Sequence, residues 1–177
     1  PTEGYTAFIR NMIDHPHIDL ELGTDYFERR DRWSGMRTIY SGPIDRFFND
    51  AHGRLDWRTM RFEKENPDCS DYQGSAVINS ADLNVEYTRV HEFKHLHPER
   101  PDTGKTTIYR EFSQITGTND EPYYPVNTKR NTELLKTYMG LARAEKDVIF
   151  GGRPGSYRYL NMDQTIRAAL DTASGIA

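Results

Sequence analysis

The stretch Glu86-Tyr87-Thr88-Arg89-Val90-His91-Glu92-Phe93-Lys94-His95-Leu96 has two readings, and they lead to different folds. Its segment His91-Glu92-Phe93-Lys94-His95 matches H-E-x-x-H, in which two histidines one helical turn apart bind zinc and the glutamate activates water. That chemistry needs a helix. Tyr87, Thr88 and Val90 favour a strand instead, and Pro98 closes the run. On a strand, His91 and His95 share a face but lie about 13 Å apart, with Glu92 on the opposite face. The strand reading therefore gives no shared metal, and the sequence assigns no metal ligand. A zinc metallopeptidase stands as an alternative that stoichiometric zinc would revive.

Taken as a strand, the stretch joins others. Residues 55–65, Gly74–Asn79 and Thr106–Phe112 have strand patterns, and their long, turn-separated spacing implies an antiparallel sheet. In 55–65 the apolar phase changes from Leu55 and Trp57 to Met60 and Phe62, which predicts a bulge or strong twist. Residues 128–146 read as a helix with Leu134, Leu135, Tyr138, Leu141 and Ala142 on one side. The stretches Pro98–Lys105 and Thr116–Pro125 read as loops.

The flanks differ from this middle. Tyr5, Phe8, Ile9, Met12 and Ile13 predict a helix over residues 4–14. Ile18, Leu20 and Leu22 alternate with Asp19 and Glu21 as a strand would. Arg37–Tyr40 is a second short strand. Ser41-Gly42-Pro43 then turns into a helix faced by Ile44, Phe47 and Phe48. At the other end Val148–Phe150 reads as a short buried strand, Gly151-Gly152-Arg153-Pro154-Gly155 as a Gly-rich loop, and the remainder as a helix. Asn161 is its expected N-cap, with Gln164 three residues on. The fold class is α+β, a mixed α/β arrangement: an antiparallel layer in the middle, and ends that return into a second, mostly absent sheet.

Composition bounds the function. Apolar residues, tyrosine included, make 36% of the 177 residues, and the mean hydropathy is -0.84. Ordinary domains are more apolar, so the chain reads as a piece whose core was completed by a larger body. Pro1 leads straight into the first helix with no initiator methionine. The net charge of -4 argues against a general nucleic-acid binder. One cysteine, Cys69, permits no internal disulfide and suggests a reducing compartment. No run is long and apolar enough to span a bilayer, and no leader opens the chain.

Anion-binding chemistry is the remaining theme. A strand, a Gly-rich turn and a helix start can receive phosphate, and Arg153 adds a fixed positive fork. Tyr87, Arg89, His91 and Phe93 share one strand face. Asp120-Glu121-Pro122-Tyr123-Tyr124-Pro125 holds two tyrosines between prolines, and Tyr157 and Tyr159 precede the last helix. Arginine with tyrosine hydroxyls suits a diphosphate. Tyrosine packing at a seam between domains is the equally weighted alternative.

These residues carry a family resemblance. Gly4-Tyr5-Thr6, Ile39-Tyr40-Ser41-Gly42-Pro43-Ile44-Asp45, Arg61-Phe62-Glu63, Gln73-Gly74-Ser75-Ala76-Val77-Ile78-Asn79, Tyr87-Thr88-Arg89, Lys94-His95, Glu121-Pro122-Tyr123-Tyr124-Pro125, Phe150-Gly151-Gly152-Arg153 and Tyr157-Arg158-Tyr159 stand in family order. The chain resembles the C-terminal half of the UDP-galactopyranose mutases. The resemblance implies a flavoenzyme that interconverts UDP-galactopyranose and UDP-galactofuranose through a covalent adduct of reduced FAD with the sugar, in cell-wall biosynthesis in the cytoplasm. It implies that residues 1–52 and 147–177 are remnants of a Rossmann-like FAD-binding domain and that 53–146 form the substrate domain.

By position, Arg89 resembles the arginine that holds the diphosphate and stabilises departing UDP. Tyr124 and Tyr159 resemble its tyrosine ligands, and Asn79 an asparagine beside sugar and flavin. Arg153, Asn161, Met162 and Gln164 resemble residues facing the cofactor. Leu20 matches a position whose backbone meets the adenine. Asn161 stands where the family usually has Asp, Pro154 where it prefers an aliphatic residue, and Glu86 where it often has Pro. No G-x-G-x-x-G turn is present, nor is the helical segment that carries the lid. The resemblance thus implies a partner in the missing N-terminal half, possible self-association, and no tight FAD binding or turnover by this stretch alone. A non-catalytic sugar-nucleotide binding module is the alternative of a different class.

Overall fold

The computed structural model describes residues 3–176; Pro1, read as leading into the first helix, lies outside them. The chain forms two compact units, residues 1–37 and 38–177. Among the described residues no helix is long and apolar enough to cross a membrane.

In the first unit, α1 (Gly4–Ile13) is the helix expected from its apolar spacing, and none of its residues is buried. Further on, Tyr26 stacks on Trp33 at 5.9 Å, and Glu21 pairs with Arg32 at 2.7 Å. The strand expected at Ile18, Leu20 and Leu22 does not form; these side chains are exposed. Alternation alone does not make a strand, because a strand needs a neighbour to take its amides and carbonyls. The described residues supply none there.

The second unit holds two sheets. β1 (Thr38–Tyr40) pairs parallel with β7 (Val148–Phe150), joining the two flanks of the unit. Between them lies a five-stranded antiparallel sheet of β2 (Trp57–Glu65), β3 (Val77–Asn79), β4 (Arg89–His91), β5 (Ile108–Ile115) and β6 (Tyr124–Pro125), in the order β3-β4-β5-β2-β6. The mixed α/β class and the antiparallel layer agree with the sequence reading. The β2–β5 register is unbroken from Arg58↔Ile115 to Glu65↔Ile108, so the phase change in β2 is not a bulge. Trp57 and Thr59 are buried on one face, while Phe62 lies on the other and is exposed. The strand changes which face it buries as it leaves the core.

Two further expectations are corrected. The strand predicted for residues 86–96 is only β4; from Phe93 to Leu96 the chain tightens into a 3-10 turn. The end of the predicted loop 116–125 is β6, which adds to the edge of β2 through Trp57↔Pro125 and Arg58↔Tyr124. Proline at that edge is permitted, since its missing N–H removes no ladder bond on the outer side.

Helices close the core. α2 (Ile44–Phe47) follows Pro43, and α3 (Lys129–Ala142) starts at Thr128, whose hydroxyl accepts from the Asn131 amide at 3.1 Å. Such caps are worth about 1 kcal/mol. Ile44, Leu55, Trp57, Tyr138 and Tyr157 form the buried centre, flanked by Phe48, Leu134, Leu135, Met139 and Phe150. The Gly-rich stretch after β7 is one helical turn, α4 (Gly152–Ser156), and not an open loop. It packs backbone against backbone on the end of β1: a Cβ at Gly155 would lie 2.8 Å from the Tyr40 carbonyl oxygen. α5 (Met162–Ile176) completes the chain.

Tyr157 ends α4 in the left-handed region, at φ +48. Its ring meets Trp57 edge-on at 4.8 Å, and its buried hydroxyl donates to Asp56 O at 2.5 Å and accepts from Val126 N at 3.1 Å. One side chain thus ties the start of β2, the residue after β6 and the start of the C-terminal segment. Val126 N also donates directly to Asp56 O at 3.1 Å, so Tyr157→Phe leaves both groups paired with each other but removes the two bonds of the hydroxyl; it should lower stability by about 1–2 kcal/mol in denaturant unfolding, and an unchanged midpoint would contradict the assignment. Burial pushes the Tyr157 hydroxyl up to about 12, against the Val126 amide, which pulls it down. Because the folded value is raised, the contribution is complete below about pH 10, the ordinary tyrosine value, and is lost as pH rises through the folded one. Wild-type stability should therefore fall more steeply than that of Tyr157→Phe across this alkaline range, and parallel profiles would refute the linkage.

Candidate functional site

Tyr157 sits two residues before Tyr159, and its partner Val126 sits two residues after Tyr124. The hydrogen bond between them therefore draws the two candidate tyrosines together. Their rings stack at 5.6 Å with a 22° tilt. Arg153 of α4 joins them: its guanidinium carbon lies 4.6 Å from the Tyr159 ring centre and 5.8 Å from that of Tyr124. It is held there by Nε donating to Leu160 O at 2.5 Å and Nη1 donating to Tyr123 O at 3.3 Å. Stacking of this kind is available to a planar guanidinium and not to lysine. Among the described residues neither the Tyr124 nor the Tyr159 hydroxyl has a hydrogen-bond partner, and Tyr159 is half exposed. Both phenols can donate outward.

A second cluster is built across β3, β4 and β5. Asn79↔Arg89 and Arg89↔Glu111 are paired positions, so the three side chains share one face. Arg89 Nε donates to Asn79 Oδ1 at 2.9 Å, and its Nη1 lies 3.4 Å from Glu111 Oε1. Glu111 is buried at 3% exposure. It is satisfied by Thr88 Oγ1 at 3.1 Å and His91 Nε2 at 2.8 Å. A buried carboxylate between a guanidinium and an imidazole fixes the direction of both. Sequence reading missed Glu111. A lone glutamate inside an alternating strand looks like a solvent-facing residue, and only the pairing with Arg89 and His91 distinguishes it.

The two clusters lie on one face of the sheet. Arg89 opposes Glu111, Glu111 opposes Phe62, and four residues along β2 Arg58 opposes Tyr124. Directly opposed residues project to the same side, as do residues two and four apart. On a flat sheet, three strand spacings and four residues place Arg89 and Tyr124 about 20 Å apart at their Cα atoms; twist changes this, and both side chains are long. Arg58 lies along the same face, with Nε donating to Ser113 Oγ at 2.8 Å, and it too escaped the sequence reading.

The remaining candidates are placed as follows. Asn161 precedes α5 and its backbone amide donates to Gln164 Oε1 at 2.8 Å, one half of the expected capping box. Met162 opens α5 and is 57% exposed. Leu20 lies in the first unit and is exposed.

The H-E-x-x-H residues have separate partners. His91 is held by Glu111. His95, in the 3-10 turn, faces Asp71 and Glu92 at 3.4 Å each. Glu92, which the strand reading put on the face opposite both histidines, instead lies beside His95 and is fully buried. Burial raises its pKa, but the Thr106 hydroxyl and then the Tyr72 and Gln73 amides outweigh this and hold it below the usual glutamate value. Where the segment turns after His91, this carboxylate is the buried acceptor for the Tyr72 and Gln73 amides and the Thr106 hydroxyl.

Residues 1–159 match the family model described as GLF: UDP-galactopyranose mutase. The chain is 42% identical over 174 residues to a probable UDP-galactopyranose mutase of Klebsiella pneumoniae, covering 98% of this chain and 44% of that protein. It is 35% identical over 180 residues to a dTDP-fucopyranose mutase of Escherichia coli, covering 98% and 47%. A UDP-galactopyranose mutase of Mycoplasma pneumoniae is 31% identical over 186 residues, with 98% and 46% covered. The chain thus spans about half the length of the curated relatives it matches. With residues 1–159 matching the family model, the chain belongs to the UDP-galactopyranose mutase family.

Proposed function

We propose that this chain supplies the diphosphate-binding part of a flavin-dependent nucleotide-sugar mutase that interconverts UDP-galactopyranose and UDP-galactofuranose. The observation that carries the reading is the Tyr124–Tyr159 stack beside Arg153, set on the sheet face that also bears Arg89. Two phenols with unused donors and a guanidinium are what a pyrophosphate needs: charge-assisted hydrogen bonds from several directions. In this proposal Tyr124 and Tyr159 hold the diphosphate from one end of the face, and Arg89 meets it from the other. Asn79, already bonded to Arg89, lies beside the sugar.

The nucleophile for the ring interconversion comes from reduced FAD. The residues present fit such a group. Met162 offers exposed apolar surface, and the first-turn amides of α5 precede the intrahelical ladder, which begins with Thr165 N donating to Asn161 O at 2.9 Å. Asn161, Met162, Gln164 and Arg153 would hold the cofactor, and Leu20 would meet its adenine. Residues 1–52 and 147–177 then belong to the C-terminal part of a Rossmann-like cofactor domain, and 53–146 to the substrate domain. This chain's own residues do the electrostatic work. Arg89 balances the charge that develops on UDP as the bond to the anomeric carbon breaks. The tyrosines keep the diphosphate in place, so that it returns to the same carbon after ring exchange. Glu111 keeps the Arg89 guanidinium aimed along the face.

The dTDP-fucopyranose mutase among the relatives favours a second sugar nucleotide of the same class. Both substrates bear a diphosphate, so the same tyrosines serve either. Titration of the protein with UDP tests the assignment. Tyr124→Phe and Tyr159→Phe should each weaken UDP roughly 10- to 100-fold, as expected when one hydrogen bond to a charged group is removed. Arg89→Ala should do at least as much. Wild-type UDP affinity in all three variants would overturn the proposal. Turnover of dTDP-fucopyranose in preference to UDP-galactopyranose by the flavin-loaded enzyme would transfer it to the second substrate.

A further inference from the structure

The His91–His95 segment leaves one cluster that nucleotide-sugar chemistry does not use. Asp71, Glu92 and His95 each direct a ligand atom into one space, and those atoms all lie within 4.8 Å of one another. His95 Nε2 is 3.4 Å from Asp71 Oδ1 and 3.4 Å from Glu92 Oε2. That nitrogen is shielded from solvent yet has no hydrogen-bond partner. A hydrogen bond to either carboxylate would draw one separation to about 2.9 Å. The distances match a different geometry. Zinc bonds to imidazole nitrogen and carboxylate oxygen are about 2.0–2.2 Å, so the edges of such a tetrahedron are about 3.3–3.5 Å.

The carboxylates are held in place. Glu92 Oε1 accepts from the Thr106 hydroxyl at 2.5 Å, and Oε2 accepts from Gln73 N at 2.9 Å. Tyr72 N is shared between the two oxygens at 3.1 and 3.3 Å. Asp71 Oδ1 accepts from Gly74 N at 2.7 Å. Outer hydrogen bonds of this kind orient metal-binding carboxylates; three donors occupy three of the four lone-pair positions of Glu92, and the one that remains is on Oε2, where the shared Tyr72 amide lies closer to Oε1. Lys94 also faces the cluster, with Nζ bonded to Ser70 O and 3.9 Å from Glu92 Oε1. Two carboxylates against one ammonium leave one negative charge to be met, by a metal ion or by a proton on His95. His95 borders an open hollow of about 1400 Å³ together with Cys69, His97 and Thr106, and Asp71 is exposed at the edge of the cluster.

We infer that Asp71, Glu92 and His95 form a divalent-cation site of the zinc class, which clips residues 71–74 to the turn after β4. The site takes only part of the H-E-x-x-H motif. Its first histidine is bound to Glu111, and its glutamate is a ligand where a peptidase would use a water-activating base. The clip steadies the approach to β3, the strand that carries Asn79. It shares no residue with the proposed diphosphate site and does not rest on that reading.

Zinc alone, titrated calorimetrically into chelator-stripped protein at neutral pH, tests the inference. The expected result is one saturable site per chain, with a rise in Tm. Cobalt in its place should give the intense visible absorption of a four-coordinate centre. His95→Ala and Asp71→Asn should each weaken zinc at least tenfold; Asp71 is exposed, so its variant does not disturb the core. His97→Ala and Cys69→Ser, in the same hollow, should bind zinc as the wild type does. UDP affinity, measured on the same samples, should be unchanged in the His95 and Asp71 variants, which separates this test from that of the diphosphate site. No saturable binding by the wild type would overturn the inference. So would binding that survives both His95→Ala and Asp71→Asn, which would place the metal on His97 or Cys69.

Discussion

The hydroxyl of Tyr157 is the constraint on which the candidate site depends. It donates to the carbonyl of Asp56 and accepts from the amide of Val126 from inside the core, tying its own segment to two groups that also bond each other at 3.1 Å. Those two groups belong to segments far apart in the chain, and the tyrosine itself belongs to a third. The residues two positions from its ends of this bond, Tyr124 and Tyr159, gain their stacking from it. Arg153, one turn before Tyr157, gains its place over their rings. The strained backbone at Tyr157 fits this view: φ +48 costs of order 1 kcal/mol for a bulky residue, and the tyrosine keeps it because its ring and hydroxyl are both committed.

A second constraint organises the opposite end of the sheet face. Arg89 is a positive group beside a buried carboxylate, Glu111, which it shares with His91. Removing Glu111 would not simply free a cation for an anionic ligand. It would leave Arg89 held by Asn79 alone and His91 without its partner, in a sheet whose strand β4 is three residues long. The same economy of short strands appears at β3 and β6. The antiparallel layer depends on the long β2–β5 pair, to which the other strands add at the edges, and the candidate ligands are on those edges. Positioning by side-chain bonds replaces positioning by long ladders.

Much of the architecture was legible in the sequence where the signal is local. α1 and α3 follow from apolar spacing, the start of α5 from Asn161 and Gln164, and β2 and β5 from strand-forming runs. Non-local features were less legible. Ile18, Leu20 and Leu22 alternate correctly but have no partner strand. The run 86–96 has strand propensity throughout, yet it turns at Glu92, where that carboxylate is the buried acceptor for Tyr72, Gln73 and Thr106, which no local pattern reveals. β6 was read as a loop because its prolines argue against a central strand, and an edge position removes that objection. For the site, Arg89, Tyr124 and Tyr159 came from the family resemblance. Their residue types alone were as compatible with a packed seam between domains. Glu111 and Arg58 join the candidate site only through what lies across the sheet from them.

The account's central claim is that both clusters on the sheet face serve one pyrophosphate. Phosphorus NMR of UDP bound to the protein tests it most directly. The account predicts that Arg89→Ala and Tyr159→Phe each shift the resonances of the bound diphosphate, because each removes a donor from the same group. If either substitution leaves both phosphorus resonances of bound UDP where the wild type has them, the two clusters do not share a ligand and the account is contradicted.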